Sequence, residues 1–153
     1  MEKLRFTISI NAPILSVYDS MLGLSDKKSY ENWVSIFSPT STYEGSWEKG
    51  SKIYFTAVDA SGKKGGMVSE IAENISPKFV SIEHKGFLVD GKEILSGEEV
   101  DKWAGCHENY SFSENNGATD VVVEMDSINE YVDYFQKHYP QALQKLKDFC
   151  ESQ

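Results

Sequence analysis

Cysteines, basic residues and long apolar runs are scarce in this chain. Its 153 residues include two cysteines, Cys106 and Cys150, which is too few for the disulfide framework of a small secreted protein. No apolar run approaches the roughly 20 residues that span a bilayer. The opening Met-Glu-Lys-Leu-Arg-Phe lacks the apolar core of a signal peptide. We therefore expect a cytoplasmic protein with free thiols and no membrane insertion.

The deficit of basic residues limits the partners that we expect. Lysine and arginine together number 15, against 24 aspartates and glutamates, so the formal net charge is −9. Proteins that bind nucleic acid or anionic lipid present a basic surface, and we therefore expect neither kind of partner. The apolar fraction of 40% and the length are those of one globular domain, which we predict over residues 1–153.

Sequence motifs of the common enzyme classes are also absent. The chain has no GxSxG elbow, no P-loop and no GxGxxG fingerprint. Residues 62–66 are rich in glycine, but they connect two predicted strands and are interpreted as a hairpin turn. Neither a zinc-like spacing of Cys and His nor the acidic pattern of an EF-hand occurs. The sequence predicts no metal and no cofactor.

Hydrophobic periodicity predicts the order of the elements. Alternation over 4–10 is typical of a half-buried strand, and apolar residues over 14–22 recur at helical spacing. Ser25 and Asp26 are suited to cap a second short helix over 27–32. Further strands are predicted at 41–44, 53–58, 66–75, 79–85, 106–113 and 119–125, with turn signals at 89–92 and 114–117.

The last quarter of the chain is predicted to be helical. Ser127 and Glu130 fit a capping box at its start, and an apolar stripe at helical spacing follows them. Pro140 lies within this stripe and removes one helical hydrogen bond. We therefore expect a kink or a break near residues 138–140.

This order of elements predicts an α+β fold of the helix-grip type. A curved antiparallel sheet of six to seven strands would wrap around the long C-terminal helix, with two short helices after the first strand. Such a sheet can leave a cavity between itself and the helix. The glycines and charges of residues 85–105 suit either a lid or a paired hairpin.

Four stretches of the chain carry a resemblance to a known family. They read YENWVSIFSPTSTYEGSWEKGSKIYF, GGMVSEIAENISPKFVSIEHKG, HENYSF and YPQALQKLKDF, at residues 30–55, 65–86, 107–112 and 139–149. With these stretches the chain resembles the START-like superfamily, also called SRPBCC, along essentially its whole length. Within it, the chain looks like the branch whose domain is shared with activators of a heat-shock chaperone ATPase. The resemblance implies the helix-grip fold; its members include polyketide cyclases, lipid carriers and chaperone regulators, so it does not specify an activity.

His84 and Glu108 are the candidate catalytic residues. His84 shares its strand face with Val80 and Ile82, and Glu108 shares strand parity with Tyr110, so we expect both to point inward. If they meet across the sheet, they could act as general acid and base or anchor a polar group of a ligand. The alternatives are a core histidine held by one hydrogen bond, a His84–Glu108 pair that is only a structural hydrogen bond, and a glutamate at the rim in water.

Aromatic residues are expected on the cavity walls around this pair. Trp33 and Phe37 follow the short helices and would close one end, while Trp103 would line the opposite wall. Core packing explains the same residues equally well, because aromatic side chains dominate protein cores. The predicted ligand-binding residues are Trp33, Phe37, Phe55, His84, Trp103, Glu108, Tyr110, Tyr131 and Phe135.

Three hypotheses for the function follow. The first is a binding module for a small, mostly apolar molecule such as a lipid, an aromatic or a polyketide-like compound. The second is an enzyme of cyclase or hydrolase type that uses His84 and Glu108 in the same cavity. The third, implied by the resemblance alone, is an interaction module that regulates a chaperone ATPase. We expect no counterpart of the additional N-terminal domain that true chaperone activators carry, which disfavours this third hypothesis.

Overall fold

One antiparallel sheet organises the computed structural model, which describes residues 1–153. Its hydrogen-bonded order is β1-β8-β7-β5-β4-β3-β2, and β6 pairs with β5 beside this path. The predicted α+β helix-grip architecture is therefore confirmed, with seven strands in the path and β6 as an eighth. The strands are β1 (Glu2–Ile10), β2 (Thr42–Gly45), β3 (Lys52–Val58), β4 (Lys64–Ile75), β5 (Phe79–Val89), β6 (Lys92–Ile94), β7 (His107–Asn115) and β8 (Ala118–Ser127).

The helices begin and end where local signals act on them. Gly23 ends the first helix in the left-handed conformation, with φ 68°, which glycine adopts without a steric penalty. Asp26 caps the second helix by accepting a hydrogen bond from the Lys28 N–H at 3.0 Å. No helix is long and apolar enough to cross a bilayer. The helices are α1 (Ile14–Leu22), α2 (Lys27–Val34), α3 (Glu98–Asp101) and α4 (Val132–Glu151), with a 3₁₀ turn at Asn129–Tyr131 before α4.

The capping box expected at the start of the C-terminal helix is wrong, and of the kink or break expected near residues 138–140 the break is absent. Ser127 does not cap the helix, because this residue still belongs to β8, where it pairs with Glu2 of β1, and its hydroxyl donates to the Ile128 carbonyl. The helix is also not broken at Pro140, since α4 runs continuously through it. Pro140 lies on the exposed face of α4, where water can hydrate the backbone carbonyl that lost its hydrogen-bond partner. The next turn of the helix is held by the buried Leu143.

The segment between β5 and β7 contains the paired hairpin, one of the two forms that its sequence suits. It begins as a hairpin, in which Asp90 and Gly91 take positive φ values of 50° and 79° between β5 and β6. Such a pair of left-handed residues is typical of a two-residue type I′ turn. After this hairpin, α3 and the following loop carry Trp103 toward the N-terminal end of α4, where its ring lies 5.7 Å from that of Tyr131.

The hydrophobic core lies between one face of the sheet and the helices α1, α2 and α4. The C-terminal half of α4 contributes Ala142, Leu143 and Leu146, each at most 1% exposed. Its N-terminal half carries large aromatic residues that are only partly buried. One end of α4 therefore closes the core, and the other end stands over a space that the core does not fill.

We predict that Leu146→Ala lowers the free energy of unfolding by about 2–5 kcal/mol, because it removes a fully buried side chain and leaves a cavity. Leu15→Ala, at a position that is 68% exposed, is the matched control and should change stability by no more than about 0.5 kcal/mol. Urea unfolding followed by circular dichroism measures both values. Equal losses in the two variants would contradict this placement of the core.

Candidate functional site

A cavity of about 420 Å³ lies between the sheet and the N-terminal half of α4. Residues of α2, β3, β4, β5, β7, β8 and α4 line it, together with the loop that follows α3. The structure brings all nine predicted ligand-binding residues to its wall: Trp33, Phe37, Phe55, His84, Trp103, Glu108, Tyr110, Tyr131 and Phe135. Their role in binding a ligand remains a prediction.

Backbone contact between β3 and β4 shapes one side of this cavity. A Cβ atom added at Gly66 would collide with the carbonyl oxygen of Phe55, and the φ of Gly66 is +145°. Only glycine therefore fits at this point of β4. Because Gly66 has no side chain, the two strands approach closely while Phe55, Ala57 and Met67 face the cavity.

The mouth of the cavity is a group of half-buried aromatic rings. Tyr131 and Tyr134 are 46% and 36% exposed, and both line the cavity. The ring of Tyr134 lies 5.4 Å from that of Phe135 and 6.3 Å from that of Phe37. Because such rings present an apolar body and, in tyrosine, a polar tip, they suit a boundary between water and an apolar interior.

Tyr139 marks the floor of the cavity, where the core begins. Its side chain is 1% exposed, and its ring stacks on Phe6 with centroids 5.0 Å apart. The ring of Phe37 meets it edge-on at 5.2 Å. Its hydroxyl donates a hydrogen bond to Oε2 of Glu108. This bond connects α4 directly to β7.

Trp33 serves the core and the cavity wall at once. It is 1% exposed, and its indole Nε1 donates to the Met21 carbonyl at 2.9 Å, which joins α2 to α1. One edge of the same ring system reaches the cavity, and its centroid lies 6.1 Å from the Tyr110 ring. Trp33 therefore packs in the core, as the alternative interpretation of the aromatic residues held, and it also forms part of the cavity wall.

A polar cluster interrupts the mostly apolar wall. Ser69 of β4 pairs directly with His84 of β5, and the Ser69 hydroxyl lies 2.8 Å from His84 Nδ1. On the next strand, Glu108 pairs with Ile82, so His84 is its diagonal neighbour on the same face. His84 Nε2 and Glu108 Oε1 lie 3.5 Å apart. The two candidate residues therefore meet across the sheet, as their strand parity suggested.

The tyrosines around Glu108 are held in their neutral form. Burial, followed by the negative charge of Glu108, raises the pKa of Tyr30, Tyr110 and Tyr139 well above the usual value. A neutral phenol retains its hydrogen, so Tyr139 can act as a donor to the carboxylate. The cluster is consequently a carboxylate in the wall that is supported by a phenol and approached by an imidazole.

This arrangement can hold or move a proton, but the hydroxyl that is bonded to His84, that of Ser69, is not open to a substrate. Ser69 is 1% exposed and does not line the cavity, so its hydroxyl positions His84 rather than attacking a substrate. Cys106 and Cys150 also lie outside the cavity, and burial raises the pKa of both thiols. No group of three or more His, Cys, Asp or Glu side chains is arranged to hold a metal ion.

Sequence reasoning missed several residues of the site. Tyr139 lies four positions after Phe135, which is the spacing of one helix face, but the expected break at Pro140 separated it from the stripe. Tyr134 is exposed in part and lies beside the stripe rather than on it. Ser69 could not be assigned, because its pairing with His84 depends on a register shift between Val68 and Ser69.

The three buried tyrosines predict a loss of stability in alkali. Since their pKa is raised in the folded chain, the stabilisation they give is complete below about pH 10, where unfolded tyrosine ionises, and falls as the pH rises further. Each contributes a slope of up to about 1.4 kcal/mol per pH unit. Tyr110→Phe should therefore make the alkaline decline in unfolding free energy shallower than in the wild type. Urea titrations at several alkaline pH values measure this decline. Identical slopes for the wild type and Tyr110→Phe would contradict the buried environment of Tyr110.

Comparisons with known proteins bear on the fold. No family model matches the chain, and no curated protein matches it. The solved structure of the Aha1 dimer from Colwellia psychrerythraea is similar, with a TM-score of 0.67, 17% identity and alignment of 99% of this chain and 97% of that one.

Two further solved structures share the same architecture. CalU16 from Micromonospora echinospora has a TM-score of 0.64 and 14% identity, over 97% of this chain and 75% of that one. DynU16, a protein of the dynemicin biosynthetic locus, has a TM-score of 0.65 and 14% identity, over 99% of this chain and 48% of that one. At these identities a likeness establishes the fold alone. The chain therefore shares the helix-grip fold of these solved structures.

Proposed function

We propose that this chain binds a small, mostly apolar molecule in the cavity between the sheet and α4. The cavity volume of about 420 Å³ falls in the range of about 300–1,000 Å³ that is usual for small-molecule sites. Of its 22 lining residues, 15 are hydrophobic. A few convergent polar groups in an apolar wall are typical of such sites, because they orient the ligand.

The observation that carries this proposal is the polar cluster at the floor of an open apolar cavity. Glu108, His84 and the Tyr139 hydroxyl converge there, and the Glu108 side chain keeps 17% of its surface exposed. A space that is only a packing defect gains nothing from a carboxylate, because an unpaired polar group in an apolar wall costs free energy. A ligand that bears one polar group would place that group against the Glu108 carboxylate.

A second candidate function is an enzyme of cyclase or hydrolase type. The distance of 3.5 Å between His84 Nε2 and Glu108 Oε1 favours it, since such a pair can take up and return a proton beside a bound substrate. Because the Ser69 hydroxyl that is bonded to His84 does not line the cavity, the pair is suited to proton transfer rather than to covalent catalysis by an activated serine. Regulation of a chaperone ATPase is supported by the fold likeness alone, and cytoplasmic localisation stays a prediction.

The proposed function predicts that filling the cavity abolishes binding. Ala57 lines the cavity, and Ala57→Phe would occupy part of its volume. Val58, the next residue of β3, lies outside the cavity and is 43% exposed, so Val58→Phe is the matched control. Titration with Nile red, a neutral apolar dye, should show a loss of affinity of about tenfold or more for Ala57→Phe and wild-type affinity for Val58→Phe.

Thermal unfolding of both variants tells a filled cavity from a disturbed fold. If Ala57→Phe folds as the wild type does and still binds the dye equally well, the cavity is not the binding site. If both variants lose the dye to the same extent, the effect does not come from the cavity, and the proposal fails.

A further inference from the structure

We propose that the ligand is an aromatic molecule with a hydrogen-bond donor, preferably a protonated amine, and that Glu108 accepts this donor. This inference rests on the proposed function and narrows its ligand class. It follows from three features of the cavity: the aromatic content of its wall, the sign of the charges in that wall and the unused acceptor capacity of Glu108.

The wall is suited to a flat aromatic body. Eleven of its 22 residues are aromatic, and they come from both sides of the cavity. Aromatic faces stack on planar ligands and also attract cations through their negative π-faces. These residues are Tyr30, Trp33, Phe37, Phe55, Phe87, Trp103, Tyr110, Tyr131, Tyr134, Phe135 and Tyr139.

The charges of the wall are of one sign. No lysine or arginine lines the cavity, whereas Glu108 and Asp126 do. Asp126 is already satisfied, because Lys3 Nζ lies 2.6 Å from its Oδ1 and the His107 N–H donates to its Oδ2 at 2.9 Å. Glu108 has no lysine or arginine within 4.0 Å, and its nearest basic side chain is the imidazole of His84.

Glu108 also keeps acceptor capacity on the side of His84. A carboxylate offers about four lone-pair sites; the Tyr139 hydroxyl occupies one on Oε2, and the Tyr110 hydroxyl is also within hydrogen-bond reach of this carboxylate. The separation of 3.5 Å between His84 Nε2 and Oε1 is longer than a well-formed hydrogen bond. Oε1 can therefore accept a hydrogen from a ligand, and the carboxylate charge makes that bond stronger than one between neutral groups.

The same features disfavour an anionic ligand. A carboxylate or phosphate placed at the floor would face Glu108 with no lysine or arginine to neutralise it. Like charges at close range repel most strongly where water is excluded. Among the classes considered for this cavity, fatty acids and phosphorylated lipids are therefore disfavoured, while neutral and cationic aromatic compounds are retained.

A series of probes with one aromatic body and three head groups tests this inference. Isothermal titration calorimetry on the full chain would compare 2-naphthylmethylamine, 2-naphthylmethanol and 2-naphthoate. We expect the amine to bind about tenfold or more tightly than the alcohol, because it adds a charge-assisted hydrogen bond and a cation–π contact. We expect the carboxylate to bind most weakly.

A pair of variants separates Glu108 from the general negative charge of the chain. Glu108→Gln keeps the size of the side chain but removes its charge, and it should reduce the affinity for the amine about tenfold while changing that for the alcohol by less than about threefold. Glu124→Gln removes the same charge from an exposed position of β8 and should leave all three affinities unchanged. Since the ranking of the probes is read on the wild type, the test stands even if Glu108→Gln does not fold.

The outcomes distinguish this inference from the proposed function. If the carboxylate binds as tightly as the amine, or if Glu108→Gln keeps the wild-type preference, the ligand class is wrong while Nile red binding in the cavity can still hold. If Nile red and all three probes fail to bind the folded chain, the proposed function falls and this inference falls with it.

Discussion

The hydrogen bond from Tyr139 to Glu108 joins the C-terminal helix to the sheet, and the candidate site is arranged around it. A carboxylate set into an apolar wall loses hydration, which costs several kcal/mol unless donors of the protein replace the water. Tyr139 supplies such a donor, and burial together with the charge of Glu108 keeps its phenol protonated by raising its pKa. The helix thus supports a charge that the sheet alone could not hold at low cost.

This contact divides α4 into two parts with different tasks. Tyr131, Phe135, Tyr139 and Leu143 follow one another at intervals of four residues, so they lie on one face of the helical segment. Along that face the surroundings change from water at Tyr131, which is 46% exposed, to a filled core at Leu143, which is 1% exposed. A single apolar stripe therefore closes the core at one end and forms the wall and the mouth of a cavity at the other.

Local patterns could predict much of the fold and of the site, because they depend on neighbours in sequence. Period-two alternation was sufficient to place His84 and Glu108 on inward faces. Contacts between distant segments could not be predicted in the same way. Pairing of β8 with β1 places Ser127 in the strand and not at a helix cap. The buried residues beyond Pro140 keep α4 continuous. A register shift in β4 brings Ser69 to His84.

Stability alone does not explain a glutamate at position 108. Replacing buried charged groups by well-packed apolar residues is often neutral or stabilising by about 1–4 kcal/mol, and Tyr110 and Phe112 already provide large buried side chains on the same face of β7. A carboxylate with free acceptor capacity in a mostly apolar cavity does provide selectivity, because a ligand without the matching donor leaves that capacity unpaired. Likenesses at 14% to 17% identity establish the backbone that surrounds this cavity. The choice among ligands depends on side chains such as Glu108, which the fold does not determine.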